Sequence, residues 1–240
     1  VVPQGSILGP LLFTTYISPV CSIISEQNVP YHQYADDTQL FQSLSYRDSD
    51  LEIKRLTDCI RSIEHWFLHN NLQFNTSKTE VVLLGSSYSI KALSNLKSLS
   101  VGEHSIPFSP TLKSLGVLID NRLTFANHVS SVIRSCHHQI RAIAHVRKFL
   151  SRENANSLAC WLILSRLDYC NSLLFGIPLN HQKRLQRMMN RAAKVVLGVY
   201  PSDSSSSLSS SSSLSSSSSS FRLFKLHWLP YTIEFCTKSL

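Results

Sequence analysis

Two adjacent aspartates, Asp36 and Asp37, are the residues of this 240-residue chain whose types and spacing most directly indicate chemistry. They follow Tyr34-Ala35 and lie between two short runs of β-prone residues. Because Asp favours turns over strands, the pattern predicts a hairpin with both carboxylates at its apex. Neighbouring anions repel unless they share a cation, and hard oxygen ligands suit Mg²⁺ while leaving room for substrate phosphates. The pair therefore indicates two-metal phosphoryl transfer, and the alternative is an ordinary solvated turn.

Turn residues elsewhere add three candidate ligand contacts. Gln4 offers a donor and an acceptor to a base or sugar edge, and Gly5 permits close backbone approach. Lys78 follows a turn and could approach a leaving pyrophosphate as a hydrogen-bond donor or an acid. Each of the three could equally be an ordinary solvated turn residue.

Charge is unevenly distributed along the chain. Residues 121–200 carry 12 Lys and Arg against 2 Asp and Glu, whereas residues 1–120 carry 8 against 11. Net charges of +10 and −3 result, and residues 201–240 add +1. A basic helical segment is typical of a surface that follows a phosphate backbone, and we select Arg184, Arg187 and Arg191 as candidate contacts. The alternative is a set of solvated helix faces, although such faces usually interleave both signs.

Apolar periodicity and turn residues predict the elements that position these side chains. The first is a helix after a Ser6 cap, and a second long helix begins near Asp48. Strands are expected at Leu72–Asn75, Val81–Leu84 and Leu115–Asp120, with irregular hairpins over 85–114. Three helices then follow, at Phe125–Leu150, Arg152–Phe175 and His181–Leu197, the last ended by Gly198.

These elements predict an α+β fold with a small antiparallel sheet, helices on one face of it, and a helical second half. We expect four segments: 1–120, a basic helical region at 121–200, a disordered serine-rich linker at 201–220, and an apolar tail at 221–240 that docks back on the helices. The linker prediction rests on 16 serines among residues 202–220.

The sequence gives little support for a zinc-binding or redox protein, a membrane-spanning protein or a secreted protein. The six cysteines are scattered without a Cys-x-x-Cys pair, so neither a zinc ribbon nor a redox motif is indicated. Pro10 and Pro19 interrupt the apolar run Ile7–Ile24, which we interpret as buried core rather than a membrane span. With no signal peptide visible, an intracellular location, nuclear or cytoplasmic, is expected.

Four ordered blocks resemble the reverse transcriptases of non-LTR retrotransposons (the LINE class). They are Val2-Pro3-Gln4-Gly5-Ser6-Ile7-Leu8-Gly9-Pro10, Tyr34-Ala35-Asp36-Asp37-Thr38, Asn75-Thr76-Ser77-Lys78-Thr79-Glu80 and Leu115-Gly116-Val117-Leu118-Ile119-Asp120. A fifth stretch, His227-Trp228-Leu229-Pro230, is similar to a recurrent downstream element of these proteins. The resemblance extends over nearly the whole chain apart from the serine tract.

The resemblance implies a polymerase palm followed by a helical thumb. It implies Asp36 and Asp37 as catalytic ligands of Mg²⁺ or Mn²⁺, with Asp36 the firmer ligand, and Lys78 beside the nucleotide phosphates. Gln4, Gly5 and Tyr34 would contact template and nucleotide. The partners would be an RNA template, a DNA primer and deoxynucleotides, with no membrane involved.

One departure from the family qualifies these expectations. The metal site of such enzymes needs a further aspartate upstream of the Pro-Gln-Gly block, where this chain begins. The sequence therefore predicts an incomplete metal site and a polymerase fragment that lacks the fingers and is inactive alone. Two alternatives remain open: a live polymerase whose missing strand comes from another chain or an N-terminal extension, and a non-catalytic nucleic-acid-binding module that uses the basic half.

Overall fold

Helices and short strands alternate in the computed structural model, which describes residues 5–45, 47–73, 75–101, 104–199 and 219–231. The fold is α+β, as predicted. Two compact units are present, Val1–Leu112 and Lys113–Leu240. Their boundary lies ahead of the one expected at residue 120, because the last strand pair belongs with the helices that follow it.

The first unit contains three helices and five strands within its described residues. In chain order they are α1 (Leu8–Glu26), β1 (Tyr31–Tyr34), β2 (Asp37–Leu40), α2 (Ser49–His69), β3 (Val81–Val82), α3 (Ser87–Ala92), β4 (Ser98–Val101) and β5 (His104–Ser109). The predicted Ser6 cap is displaced by one residue: Ile7 is the N-cap of α1 and makes no side-chain cap bond, although Ser6 Oγ accepts a hydrogen bond from the Leu8 amide at 3.2 Å.

The prediction of a single antiparallel sheet in this part of the chain is wrong. Strands β1 and β2 form an antiparallel pair of their own, and the order of the second sheet is β3-β5-β4. There β4 pairs antiparallel with β5, whereas β3 pairs parallel with it. Parallel pairing is possible because α3 and β4 lie between β3 and β5 in sequence and supply the long crossover that it requires.

The core of the first unit lies between α1 and α2. Ile17, Val20 and Ile24 of α1 recur at helical spacing and are buried with Cys59 and Ile63 of α2. Two polar contacts join the same helices: Tyr16 donates to the Asn70 carbonyl at 2.6 Å, and Gln27 Nε2 donates to Ser62 Oγ at 2.7 Å.

The first half of α1 does not share this burial. Leu8, Leu11 and Leu12 are more than half exposed, so the expectation of buried core is confirmed only for the second half. By length and apolar composition α1 could also cross a membrane, a property that core helices of other proteins share.

Two strand predictions differ from the structure: the strand predicted at Val81–Leu84 is only Val81–Val82, and the one predicted at Leu72–Asn75 is not formed by its described residues. Leu72, Gln73 and Asn75 are not in a strand, and Phe74 lies outside the described residues. The Leu72 amide donates to the Phe67 carbonyl at the end of α2, and Asn75 Oδ1 accepts from the Lys78 amide in a 3-10 turn. These local hydrogen bonds compete with strand pairing.

The second unit contains a strand pair and five α-helices within its described residues. Its elements are β6 (Thr111–Ser114), which begins before the boundary, β7 (Val117–Asp120), α4 (Ala126–Val146), α5 (Arg152–Ala159), α6 (Ser165–Asp168), α7 (Leu179–Leu197) and α8 (Ser219–Lys225). Leu115 and Gly116, both at positive φ, form the two-residue turn between β6 and β7. Gly198, at φ +70°, ends α7 as predicted.

The long helix predicted at Arg152–Phe175 is interrupted. A π turn over Cys160–Leu164 separates α5 from α6, and Cys170 at φ +52° lies beyond the end of α6 at Asp168. A non-glycine residue at positive φ cannot continue a right-handed helix.

One hydrophobic core unites α4, α5, α7 and α8. Leu223, Leu226, Trp228 and Tyr231 are buried in it, so the described part of the tail, residues 221–231, docks on the helices as predicted. Of the predicted linker, only Ser219 and Ser220 lie among the described residues, where they begin α8.

Asp120 fixes the start of α4. Its carboxylate accepts the amides of Arg122, Thr124 and Phe125 at 3.1, 3.0 and 2.6 Å, and the Thr124 hydroxyl at 3.1 Å. Burial opposes ionisation, but these hydrogen bonds outweigh it, and the pKa of Asp120 is lowered from its ordinary 3.8. The Asp120 carboxylate therefore has a structural role, which is to accept hydrogen bonds at the start of α4.

Replacing Asp120 by Ala should lower the free energy of unfolding by about 2 kcal/mol, because three backbone amides lose the buried carboxylate that accepts their hydrogen bonds. Urea denaturation with hydrogen exchange of the first turn of α4 measures the loss. Asp48→Ala is the matched control, since Asp48 also precedes a helix but accepts no side-chain cap bond. An equal loss of unfolding free energy in the two variants would contradict the role of Asp120 at the start of α4.

The same carboxylate predicts a pH dependence. Because the folded pKa lies below 3.8, protonation favours the unfolded chain, and the contribution of Asp120 is complete above that pH. The stability difference between the wild type and Asp120→Asn should therefore shrink as the pH falls below about 3.8.

Candidate active site and basic surface

The two candidate aspartates lie at the end of the β1–β2 hairpin, as predicted. Tyr34 pairs with Asp37, so the connecting turn consists of Ala35 and Asp36, and Ala35 adopts φ +52°. Asp36 is thus in the turn and Asp37 is the first residue of β2. Both carboxylates are exposed, which lets two adjacent charges remain hydrated when no cation is bound.

Gln33 anchors this hairpin to the helical core. Its Oε1 accepts from Cys21 Sγ of α1 at 3.0 Å, and its Nε2 donates to Thr38 Oγ1 across the strand pair at 3.3 Å. Tyr31, on the same face, packs against the buried cluster of α1 and α2. Sequence reasoning missed Gln33, although its position two residues from Tyr31 in β1 was a signal that it faces the core.

The carboxylates suit a hard divalent cation but do not form a complete cage. Mg²⁺ is often held by one or two carboxylates together with water and substrate phosphates. Within the part of the chain that the structure describes, no group of three or more His, Cys, Asp or Glu side chains comes together at a potential metal site.

The other predicted site residues occupy separate places in the first unit. Tyr34 is 63% exposed and lies next to the Asp36 turn. Lys78 is exposed in the 3-10 turn, and it makes no ion pair with Asp36 or Asp37 among the described residues. Gly5 is exposed at φ +84° with open space around it, and Gln4 lies outside the described residues.

The three arginines predicted to contact nucleic acid all lie on α7, but their surroundings differ. Arg187 and Arg191 are exposed, whereas Arg184 is half-buried and contacts Ser130 Oγ at 3.2 Å and the His181 ring at 3.3 Å. Arg191 Nη1 lies 3.3 Å from both ring nitrogens of His137. Burial, followed by the charges of Arg191 and Arg141, lowers the pKa of His137.

Two further basic residues stabilise helix ends. Arg147 donates through Nε and Nη2 to the Val196 carbonyl at 3.0 and 2.7 Å, and through Nη1 to the Leu150 carbonyl at 2.9 Å. Arg152 donates to the Lys225 carbonyl of α8 at 2.9 Å. A cation at a helix C-terminus complements the unpaired carbonyls there.

A basic groove lies between α7 and α8. It encloses about 420 Å³ and is lined by Arg187, Met188, Asn190, Arg191, Lys194, Ser219 and Arg222. Lys194 and Arg222 were not among the predicted contacts. Little in the sequence indicates that Arg222 lies near α7, because the serine tract separates the two.

Comparison with known proteins decides the family. The family model for reverse transcriptase (RNA-dependent DNA polymerase) matches residues 1–119. Residues 1–119 belong to the reverse transcriptase family of non-LTR retrotransposons. No solved structure matches it significantly.

Several reverse transcriptases of insect transposons are similar to most of this chain. The RNA-directed DNA polymerase of the X-element of Drosophila melanogaster is 28% identical over 82% of the chain, and that of transposon BS is 26% identical over 81%. The Pol polyprotein of element R1 of Nasonia vitripennis is 23% identical over 80% of the chain and 58% of its own length. The chain spans about a fifth of the two Drosophila proteins.

We expect Gln33→Ala to loosen the reverse transcriptase hairpin, because it removes both the Cys21 contact and the cross-strand bond to Thr38. Amide hydrogen exchange of residues 31–40 should become faster, by roughly five- to tenfold for the loss of about 1 kcal/mol. His32→Ala is the control, since His32 is exposed on the opposite face. Unchanged exchange in Gln33→Ala would show that apolar packing alone holds the hairpin.

Proposed function

We propose that the chain is the part of an RNA-directed DNA polymerase that carries the catalytic hairpin and the nucleic-acid-binding helices. The observation that supports this most strongly is the geometry of the Tyr-Ala-Asp-Asp block. Asp36 occupies an exposed turn, and Gln33 and Tyr31 fix the same hairpin to a buried core. The first unit would then correspond to part of the palm, and the helices of the second unit to the thumb.

Each candidate residue has a proposed role. Asp36 and Asp37 would hold Mg²⁺ or Mn²⁺, and a bound divalent ion would supply positive charge where negative charge develops during nucleotidyl transfer. The Lys78 ammonium would donate to the phosphates of the deoxynucleotide. Tyr34, which is exposed beside the turn, would contact the nucleotide or template, as would Gln4 and Gly5.

The proposal includes inactivity of the 240-residue chain on its own. Two ions about 3.5 to 4 Å apart need carboxylates from more than one strand, and the hairpin supplies only two side chains from adjacent positions. Asp120 is a poor substitute, since its oxygens already accept four hydrogen bonds. We therefore expect a further carboxylate to come from a segment outside these 240 residues.

Primer extension tests this proposal. The 240-residue chain should give no detectable extension on a primed RNA template with Mg²⁺ and deoxynucleotides. A fusion to an upstream reverse transcriptase segment that carries the family aspartate should extend the primer, and Asp36→Asn in the fusion should reduce extension by at least about a hundredfold, the size of loss typical of a removed transition-state contact.

Asp48→Asn is the control variant in the fusion, because Asp48 is an exposed carboxylate without a proposed role. Extension by the unfused chain, lost in Asp36→Asn, would show that another carboxylate of this chain completes the site. Activity of the fusion that survives Asp36→Asn would contradict the role of the hairpin itself.

A second candidate function is a nucleic-acid-binding module without catalysis, which the net charge of +10 over residues 121–200 favours. Affinity for a primer–template hybrid should fall linearly with salt on logarithmic axes and be largely indifferent to sequence. Combined replacement of Arg184, Arg187 and Arg191 by Gln should lower the slope, as measured by fluorescence anisotropy. An unchanged slope would place the contacts elsewhere.

A further inference from the structure

The basic groove between α7 and α8 combines side chains from two parts of the sequence. Arg187, Asn190, Arg191 and Lys194 recur three and four positions apart, so they share one face of α7. Arg222 and Ser219 of α8 complete the lining. Four cations therefore meet around one cavity, and polar groups that donate hydrogen bonds lie among them.

The charges on the α7 wall are not balanced by acidic side chains. Arg187, Arg191 and Lys194 have no carboxylate within salt-bridge distance among the described residues. Like charges four positions apart on a helix destabilise it, and Arg187 and Arg191 have this spacing. An anion seated in the groove would replace this repulsion by attraction.

Both walls of the groove are held in place by the core. The opposite face of α7 is buried through Leu185, Met189 and Ala193, and Leu223 of α8 joins the same cluster. Gln186 ties α7 to the segment that follows α8, because its Nε2 donates to Asn190 Oδ1 at 3.0 Å while its Oε1 accepts from the Tyr231 amide at 2.7 Å. The cations therefore project from a fixed scaffold, which lowers the entropic cost of binding.

We propose that this groove binds the phosphodiester backbone of a nucleic-acid strand, with Lys194 of α7 and Arg222 of α8 as contacts in addition to Arg187 and Arg191. The inference rests on the proposed nucleic-acid binding and locates it. Arg184 lies outside the groove and is already engaged with Ser130 and His181, so it contributes less. A volume of about 420 Å³ accommodates phosphate groups together with their water.

The shape of the basic surface favours a nucleic-acid strand over a free phosphate ion as the ligand of the groove. Arg187 and Lys194 are seven positions, about two turns, apart on α7, which separates their Cα atoms by roughly 10 Å. Successive phosphates of an extended nucleic-acid strand could each contact a different cation along this row, whereas one phosphate ion would occupy only part of it.

Binding of a fluorescein-labelled RNA–DNA hybrid by the full chain tests the proposal. The double variant Arg187→Gln/Lys194→Gln should reduce the magnitude of the slope of log affinity against log salt by about 1.4 to 1.8, since each phosphate contact contributes about 0.7 to 0.9. The control Arg134→Gln/Lys183→Gln removes two exposed cations that do not line the groove and should lower the slope by less than half as much.

A charge-conserving swap, Arg187→Lys/Lys194→Arg, separates lost contacts from damaged folding and should retain the slope. Equal effects of the groove and control pairs would overturn the proposal while leaving nucleic-acid binding intact. No binding of the hybrid by the wild type would overturn both. Binding of inorganic phosphate and pyrophosphate is measured in parallel. If the groove variants weaken the binding of these ions but not that of the hybrid, the groove binds free anions, and the proposed site for a nucleic-acid strand is refuted.

Discussion

The packing of the second half of α1 against α2 is the interaction on which the candidate active site depends. Ile17, Val20 and Ile24 form the apolar surface against which Tyr31 of the hairpin packs, and Cys21 on the same helix contacts Gln33. A two-stranded hairpin is only marginally stable by itself in water. Its attachment to a buried helix allows an exposed, highly charged turn to keep a defined position.

The parts of the structure that could be predicted from sequence are those whose signal is local or strongly periodic. The hairpin follows from an Asp pair between β-prone runs, and α4 and α7 follow from apolar residues at helical spacing. The strand expected at Leu72–Asn75 is absent from its described residues because Asn75 bonds to its own neighbours, which alternation of apolar residues does not reveal. The parallel pairing of β3 with β5 depends on tertiary contacts and has no local signature.

Composition identified the basic half of the chain but could not assign its residues to separate tasks. Arg147 and Arg152 bind backbone carbonyls, Arg184 contacts two polar side chains, and Arg187 and Arg191 face a groove. A guanidinium has the same charge in each setting, so the difference lies in which acceptors the fold brings near. Arg222 joins the groove only because apolar residues after the serine tract bury α8 in the common core.

Electrostatics provides a common reason for the two charged surfaces of this chain. Asp36 and Asp37 are adjacent anions on an exposed turn, and Arg187, Arg191 and Lys194 are cations on one helix face without a carboxylate in range among the described residues. Neither arrangement stabilises the chain by itself, since each brings like charges together. A hydrated divalent cation would neutralise the first and a phosphate backbone the second. A polymerase substrate provides both, because nucleotide and template–primer are polyanions that carry metal ions with them. The charges that bring like signs together in the free chain are therefore those that the proposed nucleic-acid complex would compensate.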